Sequence, residues 1–139
     1  KVNCIAVGSV TFTATWVEHN VSATKDITVK AKAPPLTATI TSSDNKFTVK
    51  VSGYPKTFTG HFWNDTVENT SVIPDWSFTP PTGYEDKVTC TYNGLTASIT
   101  AARVDSDTSI IGKYCTLTLQ DKDHTTSVSQ QIKIVSLFG

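Results

Sequence analysis

Three histidines, three cysteines and twelve carboxylates are the groups in this chain that could do chemistry, and their spacing limits what each can do. His61, Asp65 and Glu68 fall in one short segment, with Ser71 just beyond it. Nucleophilic catalysis requires a Ser, Cys or Thr beside a base that a third group orients. A polar segment supplies that combination by composition alone, and nothing in this spacing orients the side chains toward one another. Asp65, Glu68 and Asp75 could contain the carboxylate pair of a glycosidase. That chemistry needs a cleft that raises one pKa, and no cleft is signalled. A metal centre needs convergent ligands, whereas His19, His61 and His124 are far apart and no close-spaced His/Cys pair occurs. Asp105-Ser106-Asp107 and Asp121-Lys122-Asp123 alternate acids as calcium loops do. Both lack the following glycine and distal glutamate, so they read as Asp-rich turns. No phosphate-cradling glycine loop is present. The expectation is a chain with no catalytic residue, metal or cofactor, and so not an enzyme.

Binding is the more promising chemistry. Tyr54, Phe58, His61, Phe62, Trp63, Asn64 and Asp65 crowd into one stretch with no clear strand rhythm, which reads as a loop between two strands. Exposed aromatics offer flat apolar area at low entropic cost, suited to sugar faces and protein pockets, and Asn64 and Asp65 could fix a ligand's orientation. Two competing readings stand beside this one. Phe62 and Trp63 could fold back as an extra strand or cap the core, or they could be buried against a neighbouring subunit. Asn20-Val-Ser22, Asn64-Asp-Thr66 and Asn69-Thr-Ser71 fit the glycosylation sequon, a motif with meaning only in a eukaryotic secretory pathway.

Composition sets the frame for these side chains. Thr and Ser are abundant, Met is absent, and 17% of the residues are charged. β-Branched Thr suits a pleated, half-exposed surface, so the composition reads as all-β. Twelve basic residues balance twelve acidic ones with no basic cluster, which argues against nucleic acid and anionic membrane as partners. No apolar run reaches the length of a membrane span, and no basic-then-apolar leader opens the chain. The first residue is Lys, and we expect upstream sequence to have been removed or left out. Cys4, Cys90 and Cys115 leave at least one thiol unpaired. Cys90 and Cys115 fall on the apolar faces of their expected strands. They read either as buried reduced thiols, which favour folding in a cytosol, or as a cross-core disulfide.

The organisation shows in a repeat. Val10, Phe12, Ala14, Ile27 and Val29 align with Cys115, Leu117, Leu119, Ile132 and Ile134 at a constant offset of 105 residues. Each copy is an alternating strand, a polar turn and a second alternating strand. That offset is about the length of one immunoglobulin-like sandwich. Residues 1–33 therefore read as the C-terminal strands of a preceding similar module, with strands at 1–6, 9–17 and 21–32. Pro34-Pro35 reads as a semi-rigid linker, and residues 36–139 as a complete module. Strands are expected at Leu36–Ile40, Phe47–Val51, Trp76–Phe78, Val88–Tyr92, Leu95–Ala101, Cys115–Leu119 and Val128–Ile134. Asn93-Gly94 marks a two-residue hairpin turn. The fold expectation is an all-β, immunoglobulin-like β-sandwich of about seven strands.

Trp76, Leu95-Thr-Ala-Ser-Ile99, Ile110-Ile111-Gly112-Lys113 and Leu117-Thr-Leu119-Gln-Asp121 together resemble immunoglobulin-like modules in tail and appendage proteins of phages of Gram-positive bacteria. The ending from Ile110 onward is also similar to Ig-like repeats of bacterial surface adhesins. The resemblance covers residues 36–138, most firmly 73–138, and the stretch from Tyr54 to Ser71 departs from it. It implies a spacer, decoration or weak host-attachment domain on a virion, assembled in the host cytoplasm. Its partners would be other virion subunits or neighbouring modules of the same chain, and a bacterial surface glycan. A repeat on the bacterial cell surface is the alternative it implies. An accessory binding domain of a cell-wall hydrolase is a third reading.

Overall fold

A computed structural model of the chain describes residues 6–103 and 108–138. Cys4, nearly all of the strand expected at 1–6, and the Asp105-Ser106-Asp107 turn lie outside the described residues. The chain divides into two compact units, with the boundary between Pro34 and Pro35.

Among the described residues the first unit is one antiparallel hairpin. β1 (Gly8–Trp16) runs into a single 3-10 turn at Val17–His19, and β2 (Val21–Val29) returns. Asn20 closes the turn in the left-handed region at φ 49°, where a short amide side chain is tolerated. Directly paired residues share a face of the ladder. The register, Val10 opposite Ile27, Ala14 opposite Ala23 and Trp16 opposite Val21, therefore collects the apolar residues on one side. The other side carries Thr11, Thr13, Thr15, Ser22, Thr24, Asp26 and Thr28, and Thr11 Oγ1 donates to Asp26 Oδ1 at 2.6 Å.

The second unit is an immunoglobulin-like sandwich. Its strands are β3 (Leu36–Ser42), β4 (Thr48–Lys50), β5 (Lys56–Asn64), β6 (Val67–Glu68), β7 (Pro74–Thr79), β8 (Val88–Asn93), β9 (Thr96–Ala101), β10 (Tyr114–Asp121) and β11 (Ser127–Val135). One sheet has the order β3-β5-β9-β8, with β6 paired to β5, and the other the order β4-β11-β10-β7. The first, second, fifth and fourth main strands thus face the third, sixth and seventh, the arrangement of the constant-type immunoglobulin fold. β4 runs parallel to its neighbour β11. Among the described residues no helix is long and apolar enough to cross a membrane.

The second main strand is not where the sequence places it. Phe47–Val51 has a clean alternation, but it forms a short edge strand, Thr48–Lys50, on the opposite sheet, with Phe47 and Val51 also bonded to β11. The position belongs to β5, whose register with β3 runs from Leu36 opposite Asn64 to Ser42 opposite Phe58. Its inward positions are Phe58, Gly60 and Phe62, and the glycine interrupts the apolar alternation that would have revealed a strand. Gly60 is there for space. A Cβ at this position would lie 2.5 Å from Leu119 Cδ2 and 2.9 Å from Trp76 Cζ2. Trp76, on β7, reaches across the core and donates from Nε1 to the Gly94 carbonyl at 3.0 Å. Its ring also stacks on Tyr92 with centroids 6.4 Å apart. The two sheets therefore meet through an indole seated over a bare backbone.

Gly60→Ala is expected to destabilise the second unit by about 1–3 kcal/mol through overpacking. Leu119→Ala alone is expected to cost about 2–5 kcal/mol. The double variant should cost less than the sum by at least about 0.5 kcal/mol, because truncating Leu119 opens room for the new methyl. Urea unfolding of the four proteins checks this, and strict additivity would place the Gly60 constraint elsewhere.

Candidate functional site

The seven residues proposed for binding separate by strand geometry, because successive side chains on a strand point to opposite faces. Phe58 and Phe62 are 0% and 1% exposed and belong to the core between the sheets. They cannot contact a ligand, and the loop reading is corrected to a central strand for Lys56–Asn64. Tyr54 is 78% exposed just before β5. Asp65 occupies the tight β5–β6 turn at φ 59°. Asn64 accepts from Asn69 Nδ2 at 2.7 Å, and Asn69 in turn accepts the Ser71 N–H at 3.1 Å. Two of the three sequon asparagines are thus engaged in shaping this corner.

His61 and Trp63 point outward and are half-buried. His61 Nε2 lies 3.0 Å from Thr41 Oγ1, and its Nδ1 lies 2.6 Å from Glu68 Oε1. Trp63 Nε1 donates to Thr39 Oγ1 at 3.0 Å, and its ring stacks on His61 with centroids 5.9 Å apart. The register accounts for this cluster: Thr37, Thr39 and Thr41 on β3 face Trp63, His61 and Thr59 on β5. The alternate threonines of Leu36–Thr41 were the available sign that β3 carries a hydroxyl row, and sequence reasoning passed over Thr39 and Thr41. The His61–Glu68 proximity is therefore an ordering contact within a polar ladder. Ser71 donates only its backbone N–H to this corner, to Asn69 Oδ1.

An open groove of about 630 Å³ continues along the same face. Its lining includes Thr41, Ser43, Asp44, Lys56, Thr59 and His61. Lys56 Nζ bridges both Asp44 carboxylate oxygens at 2.8 and 2.9 Å and also donates to the Lys46 carbonyl at 2.8 Å. The hydrogen bond from Lys56, with the Lys46 N–H, holds the Asp44 carboxyl down to about 2. A wall of hydroxyls and one ion pair can hydrogen-bond a polyhydroxylated surface, but it offers little to an apolar ligand.

The acidic turn at Asp121-Lys122-Asp123 holds itself. Asp121, buried at the end of β10, accepts the Thr126 N–H at 2.7 Å and the Thr125 hydroxyl at 2.9 Å. The Thr126 N–H is the main cause of its lowered pKa. His124 leans on Gln120 and lies 3.8 Å from Asp75. Among the described residues no group of three His, Cys, Asp or Glu side chains is placed to hold a metal. Cys90 and Cys115 are free thiols, so of the two sequence readings the structure has the reduced one. Cys115 Sγ donates to the Ile132 carbonyl at 3.5 Å.

Comparison with protein families and with curated proteins finds no match to this chain. Function must therefore be argued from the geometry.

Burial pushes the Cys90 and Cys115 thiols up to about 11 each. Only the thiolate is a good nucleophile or metal ligand, so both are inert at neutral pH. In a Cys4→Ser background, neither should react with a disulfide reagent at pH 7.5 in the folded protein, while both should react at once in guanidinium. The linkage has a definite sign. Unfolded thiols ionise from the ordinary value near 9, so between pH 9 and 11 the unfolded state holds fewer protons than the folded one. Stability should fall over that window, and Cys90→Ser/Cys115→Ser should flatten the fall in urea titrations.

Proposed function

We propose that this chain is a non-enzymatic part of an immunoglobulin-like array on a phage tail or appendage. In this reading it spaces and displays its neighbours, and it attaches weakly to the host surface through the outer face of β3 and β5. The observation that carries the array is the recurrence of one hairpin on both sides of Pro34-Pro35, with the same register at a constant offset. Repetition of a supersecondary unit at about one domain length is the mark of tandem modules. The phage setting rests on the resemblance of residues 73–138, and the reduced thiols support assembly in a cytosol before display.

Attachment is assigned to the outer face because it combines a half-exposed indole, a row of threonine hydroxyls and an adjacent polar groove. A pyranose presents an apolar face and a ring of hydroxyls, which an indole beside hydroxyl donors and acceptors complements. Each such contact is weak. Copies repeated along a virion would multiply it.

Purified chain should bind intact Gram-positive cells and isolated wall polysaccharide saturably, and Trp63→Ala should abolish that binding with little change in melting temperature. Phe62→Ala, by contrast, should cost about 3–5 kcal/mol. Absence of binding by the unmodified chain would overturn the attachment role. Antibody labelling in electron microscopy should decorate virions, and labelling confined to the walls of uninfected bacteria would establish the adhesin reading instead.

A further inference from the structure

We propose that the apolar face of the β1–β2 hairpin is half of the core of a second sandwich. Its occupant is the inner face of a sheet like β3-β5-β9, supplied by the polypeptide that directly precedes the hairpin. This inference rests on the tandem-module reading and specifies the contact within it.

Register carries the inference. Val10 pairs Ile27 as Cys115 pairs Ile132, Phe12 pairs Lys25 as Leu117 pairs Gln130, and Ala14 pairs Ala23 as Leu119 pairs Val128. A slip of one residue would turn every side chain to the other face, so a match through the ladder means the same turn length and the same buried side. The outer faces correspond too: Thr13 pairs Thr24 where Thr118 pairs Ser129. Surroundings are what differ. Cys115, Leu117 and Ile132 are 0–1% exposed, whereas Val10, Phe12 and Ile27 are 50%, 39% and 46% exposed. A lone two-stranded hairpin is marginal in water, and this one presents to solvent the face that its twin buries.

The same comparison selects the occupant. In the complete unit the sheet that covers the β10–β11 hairpin is built from strands that precede it in the chain, β3, β5 and β9. A second copy of this chain has no vacant sheet to offer, because its own β10–β11 already lies against that core. The occupant therefore belongs upstream on the same polypeptide. It also differs in one respect from the sheet described here. Leu119 presses on Gly60, but its counterpart Ala14 is short, so the position opposite Ala14 should carry a side chain larger than hydrogen.

Hydrogen exchange tests this on two proteins, the present chain and the natural polypeptide extended upstream by about 100 residues, one module length. In the present chain, amides of residues 8–29 should exchange on the order of a hundredfold or more faster than those of β10 and β11. In the extended chain the two hairpins should approach equal protection. Protection of 8–29 in the monomeric present chain would overturn the proposal. So would protection that arises only with dimerisation, measured by light scattering, or a hairpin left unprotected in the extended chain. A graft separates this failure from that of the array reading. Residues 9–29 replace 114–134, with and without leucine restored at the Phe12 and Ala14 positions. If either graft folds, the hairpin is a module's closing hairpin, whatever covers it. If both fail while the parent folds, the array reading falls as well.

Discussion

The close approach of Trp76 to Gly60 is the constraint on which the second unit depends. The indole comes from one sheet and the glycine from the other, and no side chain longer than hydrogen leaves room for the ring and for Leu119 beside it. Many immunoglobulin domains tie their sheets together with a disulfide and pack a tryptophan against it. Here β5 has no cysteine, so that tie is impossible and the sheets are joined by packing and by one indole hydrogen bond to the Gly94 carbonyl. Contact of this kind is strong only when the fit is close, since even a small radial gap forfeits much of the dispersion attraction. A sandwich closed this way has no need of an oxidising compartment.

The same constraint governs the outer face. Gly60 fixes which residues of β5 turn inward, and the period of two then sends Thr59, His61 and Trp63 outward. β3 supplies threonines at matching positions, so the indole N–H finds Thr39 and the two imidazole nitrogens find Thr41 and Glu68. Buried side-chain polar atoms without a partner are absent among the described residues. The hydrogen bonds hold the side chains of this face in place.

Legibility in the sequence followed how faithfully each strand displays its period. β10 and β11 alternate cleanly, Trp76–Phe78 alternates, and Asn93-Gly94 marks the β8–β9 hairpin, whose Gly94 takes the left-handed conformation at φ 55°. Those elements were readable. β5 was not, for a physical reason. Its inward series is Phe58, Gly60, Phe62, and a glycine counts as a turn signal unless one knows that an indole needs its space. Tyr54-Pro55 before it and Asn64-Asp65 after it added further loop signals, so a central strand read as a binding loop. Phe47–Val51 holds a strand, as its alternation indicates, but it lies at the edge of the other sheet and is not the second main strand. Of the seven candidate residues, Phe58 and Phe62 lie in the core, whereas His61 and Trp63 lie on the outer face for reasons of strand parity that hold whether or not the segment was recognised.

Chain order adds a consequence for how such a unit forms. The hairpin that closes the sandwich, β10–β11, comes last, after every strand that it must cover. Until it arrives, the inner faces of β5 and β9 are without their cover, Phe58, Phe62 and Ile99 among them. A hydrophobic face without its opposing layer cannot offset the conformational entropy of ordering its strands, so the core becomes stable only when its final residues are in place. The closing contacts are far apart in sequence, which makes this step slow relative to hairpin formation. The β1–β2 hairpin carries the same pattern of faces and lies directly before the double proline. A proline pair resists being drawn into a ladder because it has no N–H to donate. Set between β2 and β3, it keeps the one strand from running on into the other.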